Sequence, residues 1–223
     1  MFDTIAPSYD RLNRILSFGQ DVLWRRVAAR RARLDAREVA LDVGCGTADL
    51  ALALLAVSAP SARVVGLDLS SEMFALAGEK AARADVGARL ATVQGSVVAI
   101  PAPDGSFDRV VSAFTMRNVA DLSRACREMR RVLRPGGRCV ILELARPGTP
   151  LFARVYREYF HRAVPRIAVL LGGDPDAYAY LPRSLEAYPS PRAFGELLQE
   201  AGFRAVRFTR LSLGIATIHE GTA

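Results

Sequence analysis

Hydrophobic and polar positions along the chain fall into two regimes. From residue 39 to 144, short apolar runs alternate with amphipathic stretches. "VALDV" (39–43), "ARVVGLDL" (62–69), "ARLATVQG" (88–95), "FDRVVSAF" (107–114) and "RCVILEL" (138–144) predict five strands. Between them the helical period predicts a helix from near Thr47 to Val57 and another over "SEMFALAGEKAARA", capped by Ser70 or Ser71. A third helix over "DLSRACREMRRVL" is stopped by "RPGG" (134–137). Strands separated by helices predict βαβ units, hence a parallel sheet covered on both faces. Ligands of such sheets sit at the carboxyl ends of the strands, near the switch in strand order.

After residue 145 the pattern changes. "TPLFARVYREYFHRAVPRIAVLLGG" carries Phe152, Val155, Tyr156, Tyr159 and Phe160 at helical spacing, with Arg154, Arg157, Arg162 and Arg166 interleaved. This predicts an amphipathic helix facing the core, a lid that rests on a membrane surface, or both. "SPRAFGELLQEAGF" predicts a helix with a Ser or Pro start and a Gly stop, and "RAVRFTRLSLGIATIHEG" two strands broken near Gly214. The chain is expected to form one domain over 1–223, with an N-terminal helical flap at 1–35 and a helical lid at 146–190.

Composition adds exclusions. No apolar run reaches the roughly 18 residues of a membrane-spanning helix. "MFDTIAPSYD" has neither the basic start nor the apolar centre of a signal peptide. The net charge is +7, and among 30 basic residues Lys80 is the only lysine. The arginines are scattered, which predicts a solvated basic surface; no nucleic-acid partner is expected, and anionic lipid is a second reading. Cys45, Cys126 and Cys139 lack zinc-type spacing and fit a reduced, cytoplasmic protein. His161 and His219 are far apart, so no metal site is expected.

The candidate chemistry begins at "ALDVGCGTADL" (40–50), a glycine loop after a strand. It could hold a dinucleotide, a phosphate or an adenosyl group. No Gly-Lys-Ser/Thr follows, which excludes a P-loop. Where a dinucleotide loop needs its third glycine the chain has Asp49, an acid that would face a pyrophosphate at a helix N-terminus. A phosphate-free adenosyl group fits better. Asp42 can balance an ammonium, Gly44 and Gly46 admit close backbone approach, and Asp68 can accept the ribose hydroxyls. S-adenosylmethionine carries an ammonium, a sulfonium and a ribose.

Further segments are more specific: "MFDTIAPSYDRLNRILSFGQDVLWRR", "IPAPDGSFDRVV", "MRNV", "REMRRVLRPGGR" and "YLPRSLEAYPS" occur in that order. With the glycine loop, they resemble the C-methyltransferases of menaquinone and ubiquinone biosynthesis over essentially the whole chain. The resemblance implies a class I methyltransferase fold, an α/β Rossmann-like sheet of seven mostly parallel strands with the last, "GIATIHEG", reversed. It implies S-adenosylmethionine as cofactor and C-methylation of a prenylated quinol ring, demethylmenaquinol or the ubiquinone-pathway benzoquinol. The alternative is a related methyltransferase acting on another small aromatic or lipid acceptor. By match to family positions, Thr47, Asp68, Leu69, Ser96, Val97 and Ala113 contact the cofactor, and Asp42, Gly44 and Gly46 line the same pocket. Ala48 stands where relatives have glycine, which a helical backbone would tolerate, and Ser96 replaces an Asp or Asn that would reach the adenine amine.

Carbon methylation needs a ring oxygen stabilised as an anion and a carbon held in line with the methyl. Arg117 and Asn118 are the first candidates, Arg117 for the phenolate and Asn118 for orienting a ring oxygen. The plainer readings are that Arg117 pairs with an acid and Asn118 caps the next helix. Tyr9 and Asp10 match the family's flap over the cofactor, with Tyr9 touching methionine or substrate, or merely packing. Asp121 and Glu143 are possible proton acceptors with capping or surface roles as the alternative, and His219 is expected to be structural. The expected partners are the prenylated quinol, a peripheral membrane contact at the inner face, and a second copy in a homodimer.

Overall fold

The computed structural model describes residues 14–149, 154, 156, 158, 159, 162, 164 and 183–223. Tyr9, Asp10 and most of the 146–190 segment lie outside the described residues. Seven strands form one sheet: β1 Val39–Val43, β2 Arg63–Asp68, β3 Leu90–Gln94, β4 Phe107–Ala113, β5 Leu133–Leu144, β6 Arg204–Leu211 and β7 Ala216–Thr222. Their order is β3-β2-β1-β4-β5-β7-β6. Strands β1 to β5 are parallel, and β7 runs antiparallel to both β5 and β6, so the last strand is the reversed one. Among the described residues, five of the helices are α1 Gln20–Ala32, α2 Asp49–Val57, α3 Glu72–Arg83, α4 Leu122–Val132 and α5 Pro191–Glu200.

The continuous apolar runs of β1 and β5 follow from burial on both faces. Ala40, Val140 and Leu142 pack with Trp24, Ala28 and Leu54 of α1 and α2. Leu41, Cys139 and Ile141 pack with Cys126, Met129 and Phe194 of α4 and α5. Each fully buried Leu, Ile or Met contributes about 1.5–3 kcal/mol. The chain leaves β1 toward β2 and β3 on one side and resumes at β4 on the other. The crevice above β1 and β4 is therefore the switch point.

Local chemistry sets the helix ends. The Asp121 carboxylate accepts from Arg124 N at 2.9 Å, and the Ser190 hydroxyl accepts from Ala193 N at 3.2 Å with Pro191 in the first turn. Asp121, not Asn118, thus caps α4. Ser71 stands at the start of α3, but its hydroxyl makes no capping bond. "RPGG" does end α4, yet it lies within β5. Pairing with β4 jumps from Phe107↔Leu133 to Arg109↔Arg138, and Gly136 takes φ +79° to make that irregularity.

Helix α1 is tied to the sheet through side chains distant in sequence. Arg31 Nη1 donates to Glu220 Oε2 at 2.7 Å and Thr209 Oγ1 at 2.9 Å. Trp24 Nε1 donates to Ser212 Oγ at 2.9 Å. Trp24 thus ties α1 beside the carboxyl end of β5, where Leu144 pairs with Ala216, and Arg31 ties it lower down, where Val140 pairs with Glu220.

His219 is fully buried on β7, edge-to-face with Phe194, and its Nε2 donates to Pro191 O at 2.8 Å. Burial lowers its pKa from 6.5 to about 4. Between those values the unfolded chain binds a proton that the folded one refuses. Stability is therefore full above pH 6.5 and falls as pH drops toward 4, by about 3 kcal/mol at about 1.4 kcal/mol per unit. Urea titrations across pH 4–7 should show a steeper acid loss for the wild type than for His219→Gln. Parallel curves would remove His219 as a source of acid sensitivity.

Candidate active site

The carboxyl ends of β1, β2 and β4 and the loop after β3 enclose a cavity of about 540 Å³. Small-molecule sites run from about 300 to 1,000 Å³. The glycine loop forms its floor. Gly44 has φ +66°, and a Cβ there would collide with the Thr115 side chain. Gly46 has φ +51° and open space where a Cβ would stand, so bare backbone faces the cavity. The Gly44 and Cys45 amides donate to Leu67 O at 2.7 and 3.0 Å. Gly46 N donates to Asp68 Oδ2 at 2.8 Å and Ser70 N to Asp68 Oδ1 at 3.0 Å. Asp68 thereby locks the two loops together while its remaining lone pairs serve the cavity it lines.

Ala48 corrects an expectation. Its backbone is left-handed, φ 66° and ψ 22°, at the entry to α2. The shape of the loop demands this, and glycine would take it without cost, whereas a left-handed L-residue costs roughly 1–2 kcal/mol. Ala48→Gly is expected to stabilise the protein by about 0.5–1 kcal/mol, after the greater freedom of unfolded glycine is deducted. A rise in the urea midpoint at constant slope checks it; a fall would show that the alanine methyl packs better than its backbone is strained.

Asp42 lines the cavity at 1% exposure. Among the described residues, neither of its oxygens has a hydrogen-bond partner within bonding geometry. Burial raises its pKa to about 8, against the smaller lowering effects of the Ala51 amide and Arg25. An orphaned buried carboxyl in a cavity suits a ligand that brings its own cation. Arg25 of α1 lines the same cavity, a residue that sequence reasoning did not single out. Its Nη1 pairs with Asp21 Oδ2 at 2.6 Å, and its guanidinium lies 5.0 Å from the Phe114 ring centroid. Nothing local signals it, because the cavity it meets is built from strand ends and loops distant in sequence.

Lys80 was also passed over, though its being the only lysine was a signal. From α3 its Nζ reaches Thr47 Oγ1 at 2.8 Å and Asp49 Oδ1 at 2.6 Å, fixing two cavity residues. Asp49 is therefore balanced, and the case against a dinucleotide rests less on its charge than on the orphaned Asp42.

Leu69, Ser96, Val97 and Ala113 all line the cavity with Asp42, Gly44, Gly46, Thr47 and Asp68. The Ser96 hydroxyl accepts from Val98 N at 3.4 Å, which shapes the turn after β3. Beyond β4, Thr115 Oγ1 donates to Gly44 O at 3.1 Å, and Asn118 reaches the cavity from a tight turn over Met116–Asn118. Arg117 is not among the cavity-lining residues. Its Nη1 donates to Glu143 Oε1 at 2.6 Å and to Phe114 O at 2.8 Å, and its amide donates to Glu143 Oε2 at 3.1 Å. Glu143 is wholly buried. The pairing with an acid is thus realised, and it clamps the 114–118 loop to β5.

A sequence profile described as the ubiE/COQ5 methyltransferase family matches residues 1–223. The chain belongs to that family. It is 46% identical over 221 residues to a demethylmenaquinone methyltransferase of Thermus thermophilus, covering 99% of each protein. It is 44% identical to a ubiquinone/menaquinone biosynthesis C-methyltransferase of Geobacter sulfurreducens, covering 99% of this chain and 86% of that one. Among solved structures, a possible histamine N-methyltransferase of Thermotoga maritima, described as SAM-dependent, superposes with TM-score 0.70 at 19% identity, covering 99% and 97%. A SAM-dependent methyltransferase of Aquifex aeolicus superposes with TM-score 0.63 at 20% identity, covering 86% of each. These structural likenesses carry the fold, that of S-adenosylmethionine-dependent methyltransferases, and family membership makes the chain a methyltransferase.

Proposed function

We propose that this protein transfers the methyl group of S-adenosylmethionine to a ring carbon of a polyprenylated quinol, demethylmenaquinol first among them. The carrying observation is the orphaned, buried Asp42 in a cavity floored by the glycine loop, within a chain nearly half identical to a demethylmenaquinone methyltransferase. A phosphate-bearing ligand would face Asp42 unfavourably; a cationic one supplies the missing partner.

When bound, the cofactor supplies an electrophilic methyl on a sulfonium, a leaving group that needs no covalent enzyme intermediate. The chain's own residues do the rest. Asp68 would accept the ribose hydroxyls, Gly44 and Gly46 would clear the approach, and Leu69, Ser96 and Val97 would hold the adenine. Thr47 and Ala113 complete the wall. Asn118 orients a ring oxygen of the quinol. Arg117 acts as a positioning residue, its ion pair with Glu143 fixing the loop that carries Asn118.

A prenylated substrate partitions into lipid, so peripheral contact with the inner face of a membrane is part of this proposal. No described helix is long and apolar enough to cross a membrane. Phe18 and Leu213 stand 79% and 76% exposed, and Ser212, next to Leu213, bonds to Gln20 and Trp24 of α1. A homodimer remains within the same proposal.

The test is transfer of label from S-adenosylmethionine to reduced demethylmenaquinone and to a prenylated methoxy-benzoquinol, offered side by side. Label is expected in the naphthoquinol. Label in neither, with the cofactor analogue S-adenosylhomocysteine still bound, would reassign the chain to another acceptor.

A further inference from the structure

Six large apolar side chains are exposed among the described residues, and four of them gather at one end of the molecule. Leu69 belongs to the cavity, and Phe208 lies against the His219 ring. The others are Ile15 and Phe18 ahead of α1, Leu23 in the first turn of α1, and Leu213 between β6 and β7. Ser212 holds the two loops together, its hydroxyl donating to Gln20 Oε1 at 2.9 Å and accepting from Trp24 Nε1 at 2.9 Å. Gln20, Leu23 and Trp24 share one face of α1, so Leu23 stands beside that tie. Leu211 pairs with Ala216 and Ala216 with Leu144, which places Leu213 at the carboxyl end of β5. The cavity lies at the same end of the sheet.

The two most exposed of the four are held out against the preference of their own backbones. Phe18 takes φ 52°, Leu213 takes φ 57° with ψ 21°, and Ser212 between the strand and Leu213 takes φ 47°. Residues other than glycine enter this left-handed region at a cost, and such outliers gather at functional sites. The strain yields little packing. Phe18 keeps the Tyr159 ring at 5.9 Å, yet Phe18 and Leu213 are 79% and 76% exposed.

The flanks are basic. Arg14, Arg26 and Arg210 are exposed around these side chains. Residues 14–34 contain one acid, Asp21, buried against Arg25, and residues 204–215 contain none. Apolar tips inside a positive rim complement an anionic bilayer, whose surface attracts arginine and whose interior takes the tips. A second copy of the chain suits this surface less. A stable dimer buries about 800 Å² per partner, whereas these tips stand on two loops, and each copy would bring the same positive rim. We propose that Phe18 and Leu213 are the two prongs of an anchor inserted into an anionic lipid bilayer, setting the carboxyl end of the sheet and its cavity against the membrane surface. This deepens, and rests on, the reading of a lipid-borne quinol as substrate.

The experiment is co-sedimentation of the full chain with vesicles of phosphatidylcholine alone and of equal parts phosphatidylcholine and phosphatidylglycerol. Wild type should bind the anionic vesicles about tenfold or more tightly than the neutral ones, and salt should weaken that preference. Phe18→Gly and Leu213→Gly should each weaken binding about 10- to 100-fold, the loss of one inserted apolar side chain. Glycine accepts the left-handed backbone, so Leu213→Gly should at the same time raise the urea midpoint. Stability and binding then move in opposite directions, which a variant that merely folds badly cannot show. Methyl transfer to a short-tailed quinol in solution should be unchanged in both variants, while transfer to a long-tailed quinol carried in anionic vesicles falls with binding. Absent vesicle binding by wild type, or unaltered binding by both glycine variants, overturns the anchor. So does a wild-type dimer that the double glycine variant dissociates, which would give the surface to a second copy. Transfer to the short-tailed quinol without vesicle binding overturns the anchor alone. Transfer to neither quinol overturns the substrate reading itself.

Discussion

Asp42→Asn is expected to yield a protein that is more stable when empty and that takes up S-adenosylmethionine poorly. Asp42 is buried and orphaned, and its pKa rises from 3.8 to about 8. The folded protein therefore holds a proton over that range which the unfolded chain has released. Stability is full below pH 3.8 and is lost as pH climbs through 8, on the order of 6 kcal/mol at about 1.4 kcal/mol per unit. The neutral amide escapes this loss. In urea titrations the variant should gain on the wild type steadily from pH 4 to pH 8. Its affinity for S-adenosylhomocysteine should fall about 100-fold, because an amide cannot balance an ammonium. Wild-type binding at pH 7 should also release a proton as the ammonium draws Asp42 into its charged form, and the variant should release none. A stability gap that does not widen with pH would show that Asp42 is charged and otherwise satisfied in the empty protein.

Arg117→Ala should cost about 3–5 kcal/mol of stability and abolish turnover together. The Glu143 carboxylate is wholly buried, and beside Arg117 Nη1 its oxygens accept, among the described residues, only from the amides of Arg117 and Leu144. Loss of the guanidinium strands that charge, and turnover alone cannot then separate chemistry from collapse of the 114–118 loop. The double variant Arg117→Ala, Glu143→Gln removes the stranded charge. Its stability should recover most of the loss. Its methyl transfer should stay low while S-adenosylhomocysteine binds within a few-fold of wild type, since Arg117 does not line the cavity. Recovery of turnover in the double variant would make the ion pair a structural clamp and nothing more.

Much of the architecture was legible in the chain. Strands were read from apolar runs because a parallel sheet covered on both faces has no polar side to break the run. The reversed β7 came from the resemblance and not from periodicity. The misreadings were local. Ser71 looked like a cap, but cap residues form their bond only where the incoming backbone is extended, and Ser71 is already helical at φ −69° and ψ −23°. Ala48 looked compatible with a helix, but the close return of the loop from β1 into α2 forces a left-handed step there.

The sequence by itself determined the fold class, the position of the cavity at the switch point, and the acids and glycines that floor it. Those features lie within single elements or single loops, where spacing along the chain is spacing in space. Only the tertiary structure decided that Arg25 shares a cavity with Asp42, that Lys80 holds Thr47 and Asp49, and that Arg117 is spent on Glu143. The helical period tells which face of α1 or α3 is buried. It does not tell which strand end that face will meet, because that depends on crossing geometry and on ties such as Trp24 to Ser212, made across 188 residues.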